Sequence, residues 1–286
     1  MLNNNLKTFM TVAELGSLTE AAKSLYISQP AISQSIKKLE EELDIKLFQR
    51  TKRGGIVLTE AGKEILALAY QLTDLENKIY QVAFKEKHLL GGVVRIASVP
   101  LGLALFVAPI LPLFKQRFPQ VQVQLFEGNP LEVKQRVQSF QADIGISTSP
   151  YLDLQHLPLL LDRIISVDAR EAMDIDLHKD ADKLILCRVA YDSVREQLAG
   201  KNIDLSRSMV VDAASTQINL IANGNGSGLV SELMLSTIPN KLFHGTLKPA
   251  ITTEISLIAQ DFRNLSPAAK EIVGMLQDKS KELEKI

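Results

Sequence analysis

The chain has 286 residues, 46% hydrophobic and 23% charged, with 32 Lys and Arg against 33 Asp and Glu. That balance excludes a disordered polyelectrolyte and supplies apolar material for more than one core. Cys187 is the only cysteine, and His88, His156, His178 and His244 stand far apart, which excludes a disulfide framework and leaves no metal site or cofactor expected.

The N-terminal residues show no basic head followed by an apolar run, so a cytoplasmic protein is expected. An uncharged stretch from Ile96 to Phe114 approaches the length of a membrane span. It is interrupted by Pro100, Pro109 and Pro112 and follows a strand-like run, which favours a buried strand-to-helix unit and no membrane partner.

Leu2, Leu6, Phe9 and Ala13 recur at helical spacing, and Gly16-Ser17 ends that helix. Thr19 is the expected cap of a second short helix holding Ala21, Ala22 and Leu25. Ser28 caps a third, with Pro30 in its first turn. Along it Ile32, Ile36, Leu39 and Leu43 share one side and leave Pro30, Ser33, Gln34 and Lys37 facing away. A helix with an apolar back and a short, amide-bearing front suits the major groove of double-stranded DNA. Gln and Ser bond base edges or phosphates, Lys37 neutralises a phosphate, and a helix N-terminus favours anions. Gln49 to Thr59 is expected to form two short strands around Gly54-Gly55, a wing with Arg50, Lys52 and Arg53 near its tip. Spacing alone equally describes an ordinary helical bundle with a solvated basic face.

From Thr59 to about His88 a 3-4 alternation runs through Ile65, Leu68, Leu72, Leu75, Ile79 and Val82. Such a seam calls for a second copy of the chain, unless the helix packs on its own N-terminal module. Beyond Gly91-Gly92, strands expected at Val93–Val99, Val121–Phe126, Ala142–Ser147, Leu184–Cys187, Met209–Val211, Leu229-Val230 and Glu254–Ala259 alternate with helices ending near Phe118, at Pro130–Phe140, at Thr216–Asn223 and from Ser266 onward. This is an α/β pattern, in which ligands bind beyond the carboxyl ends of strands. The run Asn223–Gly228 resembles a phosphate-cradling loop, but a helix precedes it and a strand follows, so it is expected to be a plain turn. No nucleophile-and-base motif is present, and no catalysis is expected.

Leu6 to Gly62 resembles the winged helix-turn-helix of LysR-type transcriptional regulators. The carrying residues are Phe9, Gly16-Ser17, Ala21-Ala22, Ser28-Gln29-Pro30-Ala31-Ile32-Ser33, Leu39-Glu40, Leu47-Phe48, Arg50, Leu58-Thr59 and Ala61-Gly62. The later half is similar to that family's effector domain, a pair of α/β lobes like those of type 2 periplasmic solute-binding proteins. Here the features are Gly92–Ile96, Pro109-Ile110-Leu111 through Phe118-Pro119, Glu127-Gly128, Ala142–Ile146 and Gly224-Asn225-Gly226. The resemblance implies a DNA-binding domain over residues 1–58, a dimerisation helix over 59–90 and an effector domain over 91–286. Within the last it implies one lobe at about 91–162 and 262–286 and the other at about 163–261.

It also implies that Ser28, Gln29, Pro30, Ser33, Gln34 and Lys37 lie at the groove-facing end of the recognition helix, with Arg50 and Arg53 in the wing, in a homodimer or homotetramer. The implied effector cleft is lined by Ser98, Pro100, Leu101, Asn129, Thr148, Arg188 and Thr216. Arg188 offers a planar fork for a carboxylate, or is simply an exposed arginine at a strand end. A solute-binding protein without DNA function and a cytoplasmic enzyme are the other readings of the sequence.

Overall fold

The computed structural model describes residues 3–50, 56–86, 92–201, 203–235 and 242–283. It divides into two compact units, one comprising Met1–Val93 with Ser139–Gln141 and the other the rest of the chain.

In the first unit, α1 (Asn4–Leu15) ends at Gly16, whose φ of 60° is the left-handed turn a glycine makes without strain. Helix α2 (Leu18–Ser24) is capped by Ser17, ahead of the expected Thr19. Its hydroxyl accepts from the Glu20 amide, a bond that needs the cap residue itself to be extended, as Ser17 is. Helix α3 (Gln29–Leu43) starts from Ser28, with Pro30 in its first turn. Strands β1 (Phe48–Arg50) and β2 (Ile56–Leu58) pair antiparallel, Phe48 opposite Leu58. Phe9, Val12, Ala21, Ala22, Ile32, Ile36, Leu39 and Leu47 make the core, and Phe9 and Phe48 meet with ring centroids 5.4 Å apart. Leu43, expected on the buried side, is exposed, because the helix stops at Asp44 before that turn reaches the core.

Helix α4 spans Glu60–Glu86. It enters against the head through Gly62, where an added Cβ would lie 2.2 Å from the Leu47 carbonyl oxygen, a space only glycine fits. Ile65 packs on the head core. Leu68, Leu72, Leu75 and Ile79 are each more than half exposed.

The second unit follows β3 (Gly92–Ser98), a short α5 (Pro100–Gly102), a π-helical turn (Leu103–Val107) and α6 (Ala108–Arg117). The wide turn comes just before Pro109, which has no amide to donate, and the Ala108 amide reaches back to Leu103. Next are β4 (Val121–Glu127), α7 (Pro130–Gln138), β5 (Ile144–Thr148), β6 (Gln155–Asp168), β7 (Ile175–Asp176), α8 (Leu177–Asp180) and β8 (Leu184–Cys187). They are followed by α9 (Arg188–Gln197), β9 (Met209–Val211), α10 (Ala214–Ala222), β10 (Ser227–Ser231) and α11 (Glu232–Leu235). The chain closes with β11 (Phe243–Gly245), β12 (Leu247–Lys248), β13 (Ile251–Ala259) and α12 (Pro267–Leu283). The glycine-rich run after α10 is a helix-to-strand turn, as its order in the sequence requires.

Among the described residues nine strands form one sheet in the order β4-β3-β5-β13-β6-β10-β8-β9, with β11 also on β6. Strands β13 and β6 pair antiparallel from Ile251↔Ile164 to Ala259↔Gln155, with an irregularity between Ile255 and Ser256. Only Ile255–Ile258 of β13 pair with β5, and only Ile164–Val167 of β6 pair with β10. The two long strands are therefore shared, each serving one half at either end.

Each half has its own core: Ala97, Val99, Val133, Val137 and Ile258 in one, Ile164, Leu177, Leu186, Val194, Leu229 and Ile251 in the other. The chain thus passes from the second half back to the first inside β13, ahead of residue 261, where the sequence put that boundary. Strand β6 and helix α9 are elements that hydrophobic pattern did not reveal. In β6, Pro158 and the Asp162-Arg163 pair break the alternation. In α9, Ala190 and Val194 are the fully buried residues.

Candidate DNA-reading face and effector-binding domain

In the head, Gln29, Pro30, Gln34 and Lys37 lie exposed along one side of α3 and Ser33 is half-buried beside them. The Ser28 hydroxyl accepts from the Ala31 amide at 3.4 Å, so its first role is to cap α3 and aim that helix's free amides outward. Among the described residues Lys37 makes only an exposed contact with Glu41 at 3.4 Å, a pair worth little and easily exchanged for a phosphate. Ser35 donates to Asn5 Oδ1 at 2.9 Å, tying α3 to α1. Arg50 lies on β1, and Arg53, with Lys52 and the turn glycines, falls outside the described residues. One candidate went unnoticed in the sequence: Tyr26, in the turn before α3, has φ 55° and is 96% exposed.

The wing is anchored through Glu40. Its carboxylate, nearly buried, accepts from the Leu47 amide at 2.9 Å, the Phe48 amide at 3.4 Å and Lys46 Nζ at 2.6 Å. Burial opposes the charge, but Lys46 and the two amides outweigh it and hold the carboxyl below its usual range. Thr59 Oγ1 donates to the Lys46 carbonyl at 2.7 Å and accepts from the Gly62 amide at 2.9 Å, fixing the exit into α4.

On α4, Ile65 is spent on the head core. Leu68, Leu72, Leu75 and Ile79 form an uncovered stripe, and the Val82 side chain lies outside the described residues.

In the second unit, Ser98, Gly128 and Ile146 stand side by side at the carboxyl ends of β3, β4 and β5, linked by Gly128 N to Ser98 O and Val99 N to Ile146 O, both 3.1 Å. Helices α5 and α7 start there. Pro100 is exposed and Leu101 half-buried. Ser98 and Thr148 are buried, and the Ser98 hydroxyl donates to the Val99 carbonyl at 2.9 Å, so that side chain supports the rim rather than lining it. Asn129 forms a reciprocal cap with Glu132: its Oδ1 accepts from the Glu132 amide at 3.0 Å and Glu132 Oε2 accepts from the Asn129 amide at 2.9 Å.

In the other half, Cys187 and Val211 are in register on β8 and β9, which brings the N-termini of α9 and α10 together. Neither helix has a side-chain cap. Arg188 opens α9, its guanidinium 3.6 Å from Asp212 and 5.9 Å from the Tyr191 ring centroid. Thr216 and Ser215 lie exposed in the first turn of α10. Tyr191 was not singled out in the sequence, since α9 itself was not, and Asp212 and Ser215 fall between the strand expected to end at Val211 and the helix expected to begin at Thr216. Cys187 is buried, and burial pushes its thiol up, which suits packing rather than redox reactivity.

Two family descriptions match: the lysR family of bacterial regulatory helix-turn-helix proteins over residues 3–63, and the LysR substrate binding domain over residues 87–281. The chain belongs to the LysR family and is a DNA-binding transcriptional regulator with an effector-binding domain. It is 37% identical to the uncharacterized HTH-type transcriptional regulator YoaU of Bacillus subtilis over 281 residues, covering 96% of this chain and 97% of that one. A full-length variant of OxyR from Pseudomonas aeruginosa shares the fold with TM-score 0.68 at 19% identity, covering 98% of this chain and 95% of that one. Full-length CbnR in complex with its target DNA shares it with TM-score 0.65 at 19% identity, covering 98% and 100%. A solute-binding protein without a DNA-binding head is thereby set aside. Among the described residues no helix is long and apolar enough to cross a membrane.

Proposed function

We propose that this regulator reads operator DNA with Gln29, Pro30, Ser33, Gln34 and Lys37. Arg50 and Arg53 hold the flanking backbone, and Ser28 orients the reading helix. The observation that carries this reading is the exposed polar front of α3 opposite buried Ile32, Ile36 and Leu39, beside a wing pinned through the buried Glu40 carboxylate. Leu68, Leu72, Leu75 and Ile79, with Val82, pair two copies along α4; the exposure of the first four supports a homodimer or a homotetramer built from it.

The effector is a small molecule carrying a carboxylate. Arg188 and Thr216 receive it at the paired N-termini of α9 and α10, and Pro100, Leu101 and the amide nitrogen of Asn129 contact its remainder, over a rim supported by Ser98 and Thr148. Binding biases the angle between the two halves of the effector domain, and α4 carries that preference to the reading heads. The protein works in the cytoplasm and catalyses no reaction.

Genomic fragments retained by the purified protein identify the operator, and a metabolite pool added to the same assay exposes the effector. Fragments released by the pool from the natural chain but not from Arg188→Gln support the cleft assignment. Equal release from both chains refutes it.

A further inference from the structure

A cavity of about 530 Å³ lies in the second half of the effector domain, between α9 and the segment that returns to β9. Every lining residue comes from Tyr191 to Ser206, so this space is separate from the strand ends at which α5 and α7 begin. Its floor is apolar: Val194, Leu198 and Leu205 are buried core residues, with Tyr191 and Ile203 packed against them. Arg195 is the charged group there without a carboxylate partner among the described residues. The acid in the same lining, Asp204, is already engaged, accepting from the Ser206 amide at 2.8 Å. Hydrogen bonding from Ser206 and the charge of Arg207 hold it below the usual range. Volume and lining fit a small ligand with an apolar body and one polar group.

We propose that this cavity is a second ligand site, taking a small apolar carboxylic acid whose chain rests on Val194, Leu198, Ile203 and Leu205 and whose carboxylate pairs with Arg195. The site is placed to report to the rest of the domain. Between Arg195 and Leu198 at the end of α9, Gln197 Nε2 donates to the Thr252 carbonyl at 2.6 Å, on the shared strand β13. A ligand that shifts α9 therefore pulls on the strand joining the two halves.

Calorimetric titration of the full-length protein with octanoate, and with octanamide as the uncharged analogue, tests the site. One octanoate is expected per chain. Arg195→Gln weakens octanoate about tenfold while leaving octanamide unchanged. Ile203→Trp, which fills the cavity, removes both. Thr216→Val, at the other site, leaves octanoate binding as it was. No octanoate binding by the natural chain, or binding lost in Thr216→Val and kept in Arg195→Gln, overturns the proposal. Should Ile203→Trp fail to fold, the Arg195→Gln comparison of acid and amide decides alone, since that side chain is exposed.

Discussion

Glu40 and Leu47 sit on either side of the turn that ends α3, and the Leu47 amide donates to the Glu40 carboxylate at 2.9 Å. One buried acid thus sets the path by which the chain leaves α3 and enters the wing. Leu47 in turn is fully buried in the head core and lends its carbonyl oxygen to the Thr59 amide at 3.0 Å.

Replacing this acid leaves buried amides with a weaker acceptor. Glu40→Gln is expected to cost about 1–3 kcal/mol of head stability, the range for losing a charged hydrogen bond. Because the folded carboxyl lies below its unfolded value of about 4.3, this contribution is complete above that pH and disappears as pH falls through the folded value. Thermal unfolding of both chains between pH 7 and pH 3 should show the gap closing on acidification. A gap independent of pH would mean that the charge contributes nothing.

Gln34 and Lys37 lie one turn apart on α3 but differ in what they offer. Gln34→Ala should weaken the operator by about 1–3 kcal/mol with little change on random duplex. Lys37→Ala should weaken both alike and lower the salt slope by about one unit. Fluorescence anisotropy over a salt series separates the two, and equal losses on operator and random DNA for Gln34→Ala would remove that residue from base reading.

An uncovered stripe on a 27-residue helix needs a partner. Leu72→Glu places a charge in the middle of it and should shift the assembly toward single chains at micromolar concentration, with operator affinity falling in parallel. Sedimentation velocity reads the first effect directly. An unchanged sedimentation profile would show that the stripe pairs nothing.

Lys134, on α7, is 4% exposed and has no ion-pair partner among the described residues. Burial pulls its amine below the ordinary lysine range, only partly offset by the Glu196 carboxylate. Between the folded value and about 10.4 the unfolded chain binds more protons, so this group's contribution to stability rises with pH through that alkaline window. Lys134→Met should therefore raise the unfolding temperature at pH 7, by the equivalent of about 1 kcal/mol, and narrow its advantage as pH increases. A methionine chain less stable at both pH values would contradict the desolvation argument.

The helices of the head were legible because each is short, locally capped and amphipathic: Ser28, Pro30 and the Ile32, Ile36, Leu39 spacing needed no distant partner to be read. Thr19 misled because Ser17 and Thr19 offer the same chemistry, and only the backbone conformation at Ser17 chooses between them. In the effector domain the strands expected from runs of Val, Ile and Leu reappear within a residue or two, except that β13 begins at Ile251, three residues ahead of the expected Glu254. Strand β6 did not show itself, since a strand that changes neighbours halfway along changes its buried positions too. Pro158 is tolerated where β13 is irregular, opposite Ser256.

Which side chains stay accessible is decided at longer range still. Nothing near Ile65 in sequence separates it from Leu68, yet one is taken by the head core and the other left bare. Ser98 and Thr148 stand at the expected strand ends but are buried, whereas Arg188 stands at the start of α9, 3.6 Å from Asp212 and 5.9 Å from the Tyr191 ring centroid. Local sequence determined which segments of the head are helices and which side chains they present, because hydrogen bonding within four residues and side-chain periodicity decide both. Which offered residues stay free, and which are consumed by packing, depended on contacts between segments far apart in the chain, and those are made only when the tertiary structure closes.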